Sequence, residues 1–267
     1  MTTKKLQKST PDGKALIAEA ISAAAPRPAL SDGQSEKNQY AVRFADRVAD
    51  LFARDLRKGL PGVEASAKRN AGAVGRQAQL DVNFSTPQYG LAVGISLKSV
   101  HLRDKGSPHR YTHNIKRNAE ELRIEASSYH TRQPYAVMIG VIFLPFDSCD
   151  DAKNGASSFG SWVRGLRPYS GRRAPRDEAD LFEKLYIALY EPDGTDLRFF
   201  DVESDPPKAG RPTAEGELLA GDQRPRRSMT YSEFLEAVYH AYLKRNAAEF
   251  KWADGEESPL TIDEVIE

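Results

Sequence analysis

Twelve consecutive residues, Tyr135 to Phe146, read YAVMIGVIFLPF and carry no charge. The run is far shorter than the ~20 residues a membrane span requires. Its β-branched and aromatic make-up, opened by Pro134, reads as a strand. It does not alternate apolar with polar, so both of its faces must be covered. A strand covered on both faces belongs to a sheet flanked by helices, and this makes the chain α/β with a central mixed sheet.

The elements on either side fit that reading. Ala41, Phe44, Ala45, Val48, Leu51, Phe52 and Leu56 recur at helical spacing, with Ser35 as a candidate cap and Gly59 and Pro61 as the stop. Gln79–Ser85 and Tyr89–Val100 alternate as two strands, joined by a Thr86-Pro87-Gln88 turn. Ile115, Ala119, Leu122, Ala126 and Tyr129 mark a second helix ahead of the apolar run. Beyond it the sequence predicts a short helix near Asp177–Lys184, strands at Leu185–Tyr190 and Leu197–Val202, and a last helix over Thr230–Phe250. Residues 1–35 read as a flexible tail with a short Ala-rich helix, 36–250 as one domain with long loops at 147–176 and 204–227, and 251–267 as an acidic tail.

Charge narrows the function classes. The 267 residues hold 38 basic and 38 acidic side chains. Nucleic-acid contact would therefore depend on local clusters and not on a polybasic surface. A single cysteine, Cys149, rules out an internal disulfide and a cysteine zinc cage. The polar start of the chain has no apolar signal region, so the expected location is cytoplasmic, away from any membrane. Phosphate loop, dinucleotide fingerprint and nucleophile elbow motifs are all missing. His109 and His113 have metal-like spacing but no third ligand nearby.

The hairpin carries the chemistry. Its first strand holds Asp81, and its second reads Gly94-Ile95-Ser96-Leu97-Lys98-Ser99. A lysine inside a strand needs a partner or a ligand. A plain Asp81–Lys98 pair on an edge strand is the simpler alternative.

Helix, hairpin, helix, strand, with an acid on one hairpin strand and X-Lys on the next, resembles the PD-(D/E)XK, or restriction-endonuclease-like, superfamily. The resemblance spans roughly residues 36–146. Asp81 matches the first acid and Leu97-Lys98 the X-Lys, while Ser96 stands where the second acid belongs. It implies a Mg²⁺-dependent (Mn²⁺ possible) endonuclease acting on double-stranded DNA, of restriction or phage-defence type. A homodimer would suit a symmetric site. In some restriction enzymes of this superfamily the second acid has moved to the following helix.

Mg²⁺ takes oxygen ligands only, so a second carboxylate is required. At ~100° per residue, Asn114, Asn118, Glu121 and Glu125 line one border of the second helix's apolar stripe. Glu121 is the first choice of catalytic and metal-binding acid and Glu125 the next. Glu64 is a further metal candidate and Glu36 a weaker one. Arg103, Lys105, Arg110, Lys116 and Arg117, with Asn114 and Asn118, are candidate phosphate contacts, joined by Lys68, Arg69, His109 and Arg123. A second cluster, Arg164, Arg167, Arg172, Arg173 and Arg176, alternates with Trp162 and Tyr169 and could read bases. The rival readings are a nuclease-fold protein that binds nucleic acid without cutting it, and an interaction subunit whose Arg-rich loop meets a protein.

Overall fold

The computed structural model describes residues 11–65, 80–86, 90–105, 110–152, 155–208, 210–213 and 228–246. Their elements are α1 (Gly13–Ala24), α2 (Gln34–Leu56), β1 (Glu64–Ala65), β2 (Val82–Thr86), β3 (Gly90–Ser99), α3 (Ile115–His130), β4 (Val137–Pro145), α4 (Ser158–Leu166), β5 (Lys184–Tyr190), β6 (Leu197–Asp201) and α5 (Tyr231–Asn246). The strands form one six-stranded sheet in sequence order. β3, β4 and β5 run parallel, while β1, β2 and β6 pair antiparallel at the two sides.

β4 lies near the middle, and all nine of its residues are buried. Its side chains divide between two apolar clusters. Val137, Ile139, Val141 and Phe143 pack with α1, α2 and α5. Met138, Ile142 and Leu144 pack with α3 and α4 on the opposite face. A strand with two apolar faces therefore carries a helical layer on each. Among the described residues no helix is long and apolar enough to cross a membrane.

β3 alternates in the same way, and this fixes the site. Val93, Ile95 and Leu97 face α2, so Gly94, Ser96 and Lys98 face α3. Gly94 is a close approach: a Cβ there would lie 2.7 Å from Leu80 Cδ1 and 2.9 Å from Met138 Sδ. Its absence lets Leu80, the neighbour of Asp81, fold over the α3 face of the sheet.

Three expectations differ from the structure. Residues 13–24 are a docked helix, with Leu16, Ile17, Ala20 and Ala24 buried in the α2 cluster. The stretch 147–176 contains α4, capped by Ser157 and buried through Phe159, Trp162, Val163 and Leu166. No helix forms over 177–184, where the Asp177 carboxylate instead accepts the N–H groups of Arg173 and Ala174 at 2.8 and 2.7 Å. Most of 204–227, the acidic tail at 251–267, and Lys68, Arg69 and His109 lie outside the described residues.

Candidate active site

Four side chains meet where β3 passes under α3. Ser96 is buried and donates its hydroxyl to Glu125 Oε2 at 2.5 Å. Lys98 Nζ donates to Glu125 Oε1 at 2.7 Å. Glu121 stands farther off, its Oε2 3.6 Å from Lys98 Nζ, and its Oε1 accepts Arg117 Nε at 2.8 Å. Side-chain exposure orders the two acids: Glu125 is 14% exposed and Glu121 39%. The rotation expected of α3 puts both on the correct border, but the inner acid is Glu125 and Glu121 is the rim. The reason is helical: Ala126 and Leu122 face the sheet, and α3 runs back over β3, so Glu125 lies level with Ser96.

Asp81 sits in a bend just before β2. Its N–H donates to Ile95 O at 3.1 Å, and its Oδ2 accepts Leu97 N–H at 2.6 Å. The side chain thus extends the β2–β3 ladder by one bond. Burial pushes the Asp81 carboxyl up to about 6, against the pull of the Leu97 N–H and Lys98, with Glu125 and Asp46 adding to the rise. Asp46, on α2, is a neighbouring acid that no sequence motif marks.

Lys98 responds in the opposite sense. Burial alone would lower it, but Glu125, Glu121 and Asp81 outweigh burial and hold it above the ordinary lysine value. Burial would raise Glu121 too, but Arg117 and Lys98 outweigh that and lower it.

The remaining candidates scatter. Glu64 is exposed on β1 opposite Asn83, two strands from β3 or roughly 10 Å away. It lies outside this cluster because the register continues its row to Gly94 and not to Ser96. Arg103 is bound to Asp147 at 2.9 Å and lies over the Tyr111 ring. Arg110 donates to Ala156 O at 2.6 Å. Lys105, Asn114, Lys116 and Arg117 are exposed, and Asn118 is half-buried on the first turn of α3. Arg123 pairs with Asp180 at 2.6 Å. In the second arginine cluster Arg167, Arg172 and Arg173 are engaged by Asp205, Glu183 and Glu203. These three brace the fold and are not a free base-reading surface.

A cleft of about 780 Å³ opens on the other face of β3, lined by Ser99 rather than Lys98.

Glu125, Glu121 and Asp81 place carboxylate charge around Lys98. Among the described residues no group of three or more His, Cys, Asp or Glu is placed to hold a metal ion. Mg²⁺, however, needs only one or two carboxylates, completing its shell with waters and substrate phosphate. Burial makes Asp81 harder to ionise, and the Glu125 charge adds a smaller contribution in the same direction. A cation between such groups relieves both burial and like-charge repulsion.

No family model, curated protein or solved structure matches this chain.

Proposed function

We propose that this chain is a Mg²⁺-dependent endonuclease that hydrolyses DNA phosphodiester bonds, of restriction or phage-defence type, on a restriction-endonuclease-like core. The observation that carries the reading is Glu125: it bonds both Ser96 and Lys98, so an acid reaches from α3 to the strand position that lacks one. The order α2, β2, β3, α3, β4, with β4 parallel to β3, supports the same reading.

Asp81 and Glu125 would hold Mg²⁺. When bound, the ion supplies charge neutralisation at the phosphate and a more acidic water. The protein's own groups do the rest. Ser96 fixes the Glu125 carboxylate by its hydroxyl. Lys98, kept charged by its carboxylate neighbours, donates to a phosphate oxygen as negative charge builds there. The Leu97 N–H fixes the Asp81 carboxylate. Lys116 and Arg117, exposed at the start of α3, would contact the DNA backbone.

The test is incubation of the purified full chain with supercoiled plasmid and with phage DNA, with Mg²⁺ and with EDTA. Cleavage with Mg²⁺ alone is the expected result. Intact DNA under both conditions, with binding retained, would replace this reading by a non-cutting nucleic-acid-binding protein.

A further inference from the structure

The cleft on the α2 face of β3 has its own chemistry. It lies between the first turns of α2, the segment Val100–Lys105 and the start of α3. Its volume, about 780 Å³, is that of a small-ligand pocket. It also sits beyond the carboxyl ends of parallel strands, where α/β sheets commonly take ligands.

Its lining is unequal in charge. Lys37, Arg103, Lys105 and Arg110 line it with Asp104; Arg103 is paired with Asp147 and Arg110 lies 3.9 Å from Asp151, which leaves Lys37 and Lys105 as the lining cations without an ion pair among the described residues. The Asp104 carboxylate is turned to the chain, accepting the N–H groups of Thr112 and His113 at 3.2 and 3.1 Å. Lys105 is exposed and has no ion pair among the described residues. In a chain of zero net charge this is a local excess that favours an anion.

The floor is apolar and aromatic, with Tyr40, Val100 and Leu102. It also holds His101, only 6% exposed. His101 Nδ1 is 2.7 Å from the Tyr190 hydroxyl, while its Nε2 is buried without a partner. Burial, helped by Arg27, pushes the ring down to about 3, so the unpartnered nitrogen belongs to a neutral imidazole. A buried polar atom without a partner is costly, and the ring packs edge-on against Tyr40, which also lines the cleft.

We propose that this cleft binds a phosphate-bearing nucleotide, its phosphate at Lys105 and its base against the Tyr40 and His101 floor. The choice of a nucleotide over another amphipathic anion rests on the nuclease reading. The ligand is either a free nucleotide or the terminal nucleotide of a strand held at the Lys98 site, since the two sites share one end of β3.

The experiment uses the full-length Asp81→Asn chain in EDTA, so that binding is read without cleavage. The probes are deoxyadenosine, deoxyadenosine monophosphate, and one short single-stranded oligonucleotide with and without a 5′-phosphate. Binding is followed by calorimetry and fluorescence anisotropy. At least one phosphorylated probe should bind more tightly than its unphosphorylated partner. Lys105→Glu, an exposed change whose folding is checked by circular dichroism, should weaken that binding about tenfold. Preference for the monophosphate identifies a free nucleotide, and preference for the phosphorylated oligonucleotide identifies a strand end. Affinity that ignores the phosphate, or is unchanged by Lys105→Glu, overturns the proposal. Wild-type cleavage of plasmid is scored separately, so failure of the cleft and failure of the nuclease reading are told apart.

Discussion

Glu125 on α3 accepts the Lys98 ammonium at 2.7 Å while its other oxygen accepts the Ser96 hydroxyl at 2.5 Å. One carboxylate thus ties the helix to the two β3 positions where an acid and a lysine are paired in the nuclease motif. Glu125 helps hold Lys98 above the ordinary lysine value and adds to the rise of Asp81.

Replacing Lys98 by Ala should lower DNA cleavage by about 10²–10⁴-fold while the chain stays folded. The exposed fraction of Lys98, 20%, lets water reach Glu125 in its place. Plasmid cleavage rates set beside circular dichroism spectra check this. Full activity would remove Lys98 from the mechanism.

Asp81→Asn should abolish Mg²⁺ and Mn²⁺ binding without disturbing β2. The amide oxygen still accepts the Leu97 N–H, but it lacks the charge a hard cation needs. Calorimetric titration with Mn²⁺ measures it, and an unchanged affinity would make Asp81 purely structural.

The same substitution has a pH signature. An acid raised to about 6 in the folded chain, from ~3.9 unfolded, holds its proton more tightly when folded. Its contribution to stability is fully present below pH ~4 and is lost as pH rises through about 6. The amide of the variant cannot ionise. Without divalent ions, the stability of Asp81→Asn relative to wild type should therefore grow between pH ~4 and ~7, by on the order of 1–2 kcal/mol. Denaturant titrations at several pH values give the difference, and a flat or falling curve would contradict it. Cleavage by the wild type should climb over the same interval, because metal binding needs the ionised form.

Much of this was legible in the chain. The apolar run at β4 announced a strand covered on both faces, and the stripe Ala119, Leu122, Ala126 fixed the rotation of α3. Asp81 and Lys98 followed from the hairpin. The order of Glu121 and Glu125 did not, since it depends on how far α3 slides along β3, which periodicity leaves open. α1 is hard to tell from a tail because two of its four buried residues, Ala20 and Ala24, are alanines, whose transfer energy is small. The stripe Phe159, Trp162, Val163, Leu166 of α4 was hidden among Gly160, Gly165 and arginines, residues that usually mark loops. Nor did composition tell free arginines from engaged ones.

Arg172 illustrates the last point and carries a stability prediction. Glu183 accepts Arg172 Nη1 at 2.9 Å, Arg245 Nη2 at 2.8 Å and the Met138 N–H at 2.7 Å, all in buried surroundings. Glu183→Gln would leave two buried guanidinium groups without their counter-charge, costing about 3–5 kcal/mol. Urea denaturation should show it. A loss under ~0.5 kcal/mol would mean that the arginines find other partners.

The nuclease account stands or falls on the acid from α3. Supercoiled plasmid should be nicked or linearised by the wild-type chain with Mg²⁺ and left intact with EDTA. In the same assay Glu125→Gln should lose cleavage by at least about 10²-fold. Glu121→Gln, at the rim, should keep it within about tenfold. Equal cleavage by Glu125→Gln and wild type, or loss confined to Glu121→Gln, would contradict the account.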